Sequence, residues 1–160
     1  MRAYNRIELE KVARETGFIR DNLEKVIRLS NILEFLVSDD NLKGKVVLKG
    51  GTAINLTVFD MPRLSVDIDL DYCCNSDKDT MMADRAVIGQ EILGHMQSNG
   101  YTVHPSSKNT HALDSWVFSY LNAGGNKDNI KIEINYMMRT HILEPRTRKT
   151  SVPFIDEVDV

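Results

Sequence analysis

Three carboxylates recur at every second position in the stretch Arg63-Leu64-Ser65-Val66-Asp67-Ile68-Asp69-Leu70-Asp71. Alternation of this kind is the pattern of a strand with one apolar and one polar face. Leu64, Val66, Ile68, Leu70 and Tyr72 fall on the first face; Ser65, Asp67, Asp69 and Asp71 fall on the second. Same-face neighbours on a strand lie about 6.5–7 Å apart, and carboxylates aligned in this way repel one another unless a cation sits among them. Hard oxygen donors at that spacing suit Mg2+ or Mn2+, which binds through one or two carboxylates and completes its shell with substrate phosphates. Two such ions, about 3.5–4 Å apart, can share Asp67 and Asp69.

A phosphate-handling element stands just upstream. Val46-Val47-Leu48-Lys49 reads as a strand, Gly50-Gly51 as a tight turn, and Thr52-Ala53-Ile54-Asn55-Leu56 as the opening of a helix. Glycines there allow the backbone close to a phosphate, towards which the first helical N–H groups point, and Thr52 has a hydroxyl to add. A third carboxylate comes from Ile130-Lys131-Ile132-Glu133-Ile134-Asn135-Tyr136. This is a second alternating strand, with the isoleucines and Tyr136 inward and Lys131, Glu133 and Asn135 on the polar face.

Other readings of these residues fit less well. Asp67, Asp69 and Asp71 match the start of a calcium-binding loop, but its required glycine and glutamate are here Tyr72 and Lys78. A glycosyltransferase Asp-x-Asp would leave Gly50-Gly51-Thr52 unexplained. A P-loop needs Gly-Lys-Ser/Thr, which does not occur. A solvated charge stripe without a metal remains an alternative, since strands commonly alternate polar and apolar faces. Asp71 reads as a solvated strand-end residue rather than a ligand. Cys73 and Cys74 read as small half-buried residues, and His95, His104, His111 and His141 form no ligand pair.

The elements that must position these groups can be traced along the 160 residues, a length that suits one domain with a real core. Residues 6–16 and 19–37 predict two helices, with Gly17 as a stop between them and Ile19, Leu23, Val26, Ile27, Leu33 and Val37 on one stripe of the second. Residues 45–49 predict a short buried strand and residues 63–72 another, with Met61-Pro62 ending the helix between them. A helix is expected at 79–98, with Met82, Ala86, Ile92, Leu93 and Met96 on its inner face. Strands are expected at 101–104, 115–121 and 130–138, the last two forming a hairpin around Asn122-Ala123-Gly124-Gly125-Asn126. The fold class is therefore α+β: a small mixed sheet of four or five strands, helices packed on one face, and an N-terminal helical pair. Formal net charge is −3, from 20 basic and 23 acidic residues, so any nucleic-acid contact must be local; the basic run Arg139, Arg146, Arg148 and Lys149 reads first as a solvated loop, with a backbone contact for an RNA acceptor as the alternative. No run approaches the roughly 18 apolar residues of a membrane span, and the N-terminus has no secretory h-region. A cytoplasmic protein is expected.

Gly-Gly-Thr followed by Arg-x-Ser-x-Asp-x-Asp resembles the signature of the AbiEii/AbiGii-type nucleotidyltransferase toxins, a branch of the polymerase-β-like superfamily. Thr16-Gly17-Phe18 and Leu23-Glu24-Lys25 resemble the helical N-terminus of those proteins, and Lys131-Ile132-Glu133-Ile134-Asn135 their third-carboxylate strand, so the resemblance spans about residues 12–137. It implies a polymerase-β-like fold, with N-terminal helices at 1–38 and a catalytic core at 45–138. Residues 139–160 would be a tail leading toward a C-terminal helical region that this sequence does not include, which implies slow transfer by residues 1–160 alone. It further implies that Asp67, Asp69 and Glu133 hold Mg2+ or Mn2+ and carry catalysis. Lys49, Gly50, Gly51, Thr52, Arg63 and Ser65 would contact the nucleoside triphosphate or brace the loop that does. The implied reaction transfers a nucleoside monophosphate to an acceptor hydroxyl, with tRNA a candidate acceptor and a cognate antitoxin the implied partner. A non-catalytic nucleotide- or partner-binding module of the same fold is the alternative.

Overall fold

The computed structural model describes residues 5–57, 67–137, 146, 147 and 149. Helix α1 (Arg6–Thr16) opens on a reciprocal cap: Asn5 Oδ1 accepts from the Glu8 amide, and the Glu8 carboxylate accepts from the Asn5 amide, both at 3.0 Å. It stops at Gly17, whose φ of 75° is left-handed and whose amide donates to the Ala13 carbonyl. A Cβ at Gly17 would meet nothing within 4 Å, so only backbone strain opposes a side chain there. Gly17→Ala is expected to cost about 1–2 kcal/mol, lowering the melting temperature by several degrees without touching activity.

Helix α2 (Arg20–Ser38) buries Leu23, Val26, Ile27, Leu29, Ile32, Leu33 and Leu36. Each fully buried side chain of this kind is worth about 1.5–3 kcal/mol in transfer terms. Ile19, expected on the same stripe, is 68% exposed. It is the N-cap residue, with extended backbone at φ −69° and ψ 128°, so its side chain leaves the helical period. Leu9 of α1 meets Leu23 and Ile27 of α2 in a small separate cluster, which forms the expected helical pair.

The sheet comprises β1 (Val46–Lys49), β2 (Asp67–Tyr72), β3 (Thr102–Val103), β4 (Lys108–Asn109), β5 (Leu113–Leu121) and β6 (Lys127–Asn135). Its order is β1-β2-β6-β5-β3, with β4 also on β5, making six strands among the described residues rather than four or five. The additional strand, β4, is two residues long and carries no alternating pattern of its own. Strand β1 is half-buried rather than buried. Strands β2 and β6 run parallel; the other pairs are antiparallel. A parallel pair needs a long crossover, and α4 (Lys78–Ser98) with β3 to β5 supplies it. Between β1 and β2, α3 (Gly50–Thr57) begins at the two glycines, which form its first turn rather than a separate turn before it.

One face of the sheet is apolar. Ile68, Leu70 and Tyr72 of β2, Ile130, Ile132 and Ile134 of β6, Tyr136 just beyond it, and Trp116, Phe118 and Tyr120 of β5 join α2 and α4 in a single core. Helix α4 turns the later part of its expected face inward, with Leu93 also packed against the core, but not the earlier part. Met81, Ile88, Ile92 and Met96 are buried, whereas Met82 is 46% exposed and Ala86 faces out. Apolar residues surround this helix, so its period alone selects no face. Gly89 packs against the Trp116 ring. Arg85 reaches from α4 to Asp114 on β5 in a two-pronged ion pair and also donates to the Thr110 and His111 carbonyls. Among the described residues, no helix is long and apolar enough to cross a membrane.

Candidate active site

The opposite face of the sheet carries the polar side chains of these strands. Burial of Ile68, Leu70 and Tyr72 forces Asp67, Asp69 and Asp71 to the other side of β2, where Asp67 is exposed and the other two are half-buried. The parallel register sets Asp67 opposite Lys131, Asp69 opposite Glu133 and Asp71 opposite Asn135. On the other flank Lys49 stands opposite Asp69, and beyond β6 Ser115 stands opposite Glu133. A row Lys49, Asp69, Glu133, Ser115 thus crosses four adjacent strands, with the two carboxylates at its centre.

Burial, then the neighbouring charges of Glu133 and Asp67, push the Asp69 carboxyl above its ordinary value, against the pull of Lys131 and Lys49. For Glu133, burial acts upward but is outweighed by hydrogen bonds from Lys131 and Ser115, so its carboxyl lies below the ordinary value and is ionised at neutral pH. Lys131 and Glu133 are 2.8 Å apart.

The glycine turn closes over this row. Gly50 has a φ of 76°, and a Cβ built on it would fall 2.6 Å from Asp69 Oδ2. Backbone and carboxylate therefore approach as closely as the absence of a side chain allows. Gly50 and Gly51 are exposed on the outer side of that contact.

Two residues expected at the phosphates have other partners. Thr52 is fully buried, and its hydroxyl donates to the Asp67 carbonyl, tying the start of α3 to the start of β2. Lys49 pairs with Asp71. That pairing leaves the Asp71 side chain only 14% exposed, so Asp71 is a bridged residue of the sheet rather than a solvated strand end. Arg63, Ser65, Arg139, Arg148 and His141 lie outside the described residues, as does nearly all of the 139–160 tail. Cys73 and Cys74 are half-buried free thiols beside the Gly44 carbonyl. His95 stacks on Phe35 and His104 bonds Ser106. The role of Lys131 as partner of Glu133 is absent from the reading of the sequence, although its signal, Lys-x-Glu on one face of a strand, is present.

The donor set fits a hard divalent cation. On this face Asp67, Asp69, Asp71 and Glu133 oppose Lys49 and Lys131, which leaves two negative charges, and all the carboxylates are oxygen donors. Among the described residues no three acidic, histidine or cysteine side chains close into a ready-made metal cage. A cation that keeps waters and takes phosphate oxygens does not need one. A groove of about 700 Å³ also runs along α4, lined by Gly89, Leu93 and Trp116. It opens on the helix-covered side of the sheet, because β5 turns Asp114 and Trp116 that way and Ser115 towards the carboxylates.

A family model described as "Nucleotidyl transferase AbiEii toxin, Type IV TA system" matches residues 32–159. The matched span begins within α2 and includes the glycine turn, β2 and β6. No curated protein matches the chain.

Proposed function

The chain belongs to the AbiEii family of nucleotidyl transferase toxins of type IV toxin–antitoxin systems, and on that premise we propose that its reaction centre is the Asp69–Glu133 pair beneath the Gly50 turn. The observation that supports this most is the in-register placement of the two carboxylates on adjacent parallel strands, with glycine backbone against one of them. Asp67 and Asp69 would hold Mg2+ or Mn2+, with Glu133 as the third carboxylate. When bound, the cation would neutralise phosphate oxygens and stabilise the charge that develops during transfer. Gly50 and Gly51 would admit the triphosphate close to the backbone, and Thr52 would keep that turn fixed on β2. Arg63 and Ser65 would complete the phosphate contacts.

In the proposed reaction an acceptor hydroxyl oxygen forms a bond to the α-phosphorus while the bond to the α–β bridging oxygen breaks. The electron pair leaves with pyrophosphate, and the hydroxyl proton passes to a carboxylate of the site, for which Glu133 is proposed. tRNA is the acceptor class we favour, and a cognate antitoxin the protein that holds the activity in check.

The test is a screen of four α-labelled nucleoside triphosphates against total cellular RNA and protein. The proposal expects label on an acceptor from one or more of them, with Mg2+ required and Asp69→Asn inactive. Label bound but never transferred would favour a non-catalytic nucleotide-binding module. For Glu133→Gln we expect single-turnover transfer to fall by about 10²-fold or more, while triphosphate affinity falls only a few-fold. An equal loss of both would make Glu133 a structural residue.

A further inference from the structure

Lys131 stands beside the carboxylate row, two residues before Glu133 on β6, and the reaction proposed above gives it no part. It lies on the same face of β6 as Glu133, opposite Asp67 on β2. Its ammonium is 2.8 Å from Glu133 Oε2, and the two side chains are 37% and 25% exposed, so either can move without disturbing the core. Lys49, the other cation of this face, is engaged by Asp71. Lys49 also stands opposite Asp69, but Lys131 is the lysine that stands opposite Asp67 and is paired with Glu133.

A divalent ion that takes Glu133 as a donor must compete with that ammonium for the same carboxylate. Lysine is a compact charge on a flexible four-carbon stem, and it binds phosphate as a point charge. A triphosphate arriving over the Gly50 turn would offer it new oxygens. Resting on the metal–triphosphate reading above, we propose that Lys131 is a displaceable countercation: it occupies Glu133 in the empty site and passes to a phosphate oxygen when the triphosphate enters, so that metal and triphosphate bind cooperatively. The coupling is reciprocal, each ligand raising the affinity for the other by the same factor. A merely structural Lys131, bracing Glu133, would act in one direction only, and its loss would weaken both ligands.

Opposite signs are thus the signature. Mn2+ binding to the full chain without nucleotide can be followed by the electron paramagnetic resonance of free Mn2+. Binding of the Mg2+ complex of α,β-methylene-ATP can be followed by calorimetry. For Lys131→Gln we expect Mn2+ alone to bind about tenfold tighter and the Mg2+–triphosphate probe about tenfold weaker, a coupling of ordinary size. Lys131→Arg, which keeps the charge, should stay close to wild type in both. Circular dichroism melting verifies that both variants fold. Unchanged affinities in Lys131→Gln, or changes of the same sign, overturn the proposal. Asp69→Asn separates the two readings. If it abolishes Mn2+ binding while Lys131→Gln behaves as wild type, only the role of Lys131 falls. If it binds Mn2+ as wild type does, the metal assignment falls with it.

Discussion

Asp67→Asn and Asp69→Asn should each lower nucleotide transfer by about a thousandfold or more, because each removes a donor to a cation that acts on the charge developed in the reaction. The fold should survive. Both substitutions lie on the open face, whereas the strand is held by Ile68, Leu70 and Tyr72, which are 0%, 2% and 0% exposed. Asp69→Asn should even raise the melting temperature of the metal-free protein slightly. Burial, with Glu133 and Asp67 close by, disfavours the ionised Asp69 carboxylate, and the amide has no charge to desolvate. Single-turnover transfer of an α-labelled triphosphate, alongside thermal melting of the same samples, checks both halves. Near-native transfer by either variant removes that residue from the site, and loss of folding would give the carboxylates a structural role.

Gly50→Ala should damage stability and activity together. Left-handed backbone costs a residue with a Cβ about 1–2 kcal/mol, the same penalty as at Gly17. At Gly17 that is the whole effect, since nothing lies within 4 Å of the added methyl. At Gly50 the methyl would fall 2.6 Å from Asp69 Oδ2 and 3.3 Å from Asp69 Cβ, so turn or carboxylate must move. A displacement of about 1 Å at a reacting centre can cost roughly 10²-fold in rate. Transfer by Gly50→Ala should therefore approach that of Asp69→Asn, while Gly17→Ala transfers at the wild-type rate. Parallel melting and transfer assays on the two alanine variants make the comparison; equal activity of both would mean that the turn does not bear on the carboxylates.

Strand identity and facing were legible on β2 and β6, because period-two alternation of isoleucine, leucine and tyrosine with polar residues has one physical reading. The stop at Gly17 was equally local, whereas the reciprocal cap at Asn5 and Glu8 was found only in the structure. Register was not legible. Asp69 meets Glu133 through a parallel pair closed by a crossover of more than fifty residues, and no local pattern encodes that alignment. The same gap explains Lys49 and Thr52. Both stand beside the glycine turn in sequence and look available to a phosphate, yet one is paired with Asp71 and the hydroxyl of the other donates to the Asp67 carbonyl. Only the antiparallel pairing of β1 with β2 and the seating of α3 reveal this. On α4, Ile92, Leu93 and Met96 were legible as inner residues, whereas Met82 and Ala86 were misread because apolar side chains occur all round that helix, and packing against Trp116 and the sheet chooses among them.

Whether Asp67 and Asp69 hold the cation is decided by a crystal of the protein grown with Mn2+ and a non-hydrolysable nucleoside triphosphate, measured for the anomalous signal of manganese. We expect a manganese peak about 2.1 Å from carboxylate oxygens of both Asp67 and Asp69, with triphosphate oxygens on the same ion and against the Gly50-Gly51 backbone. Manganese and triphosphate bound elsewhere, such as in the groove along α4, with Asp67 and Asp69 facing only water, would contradict it.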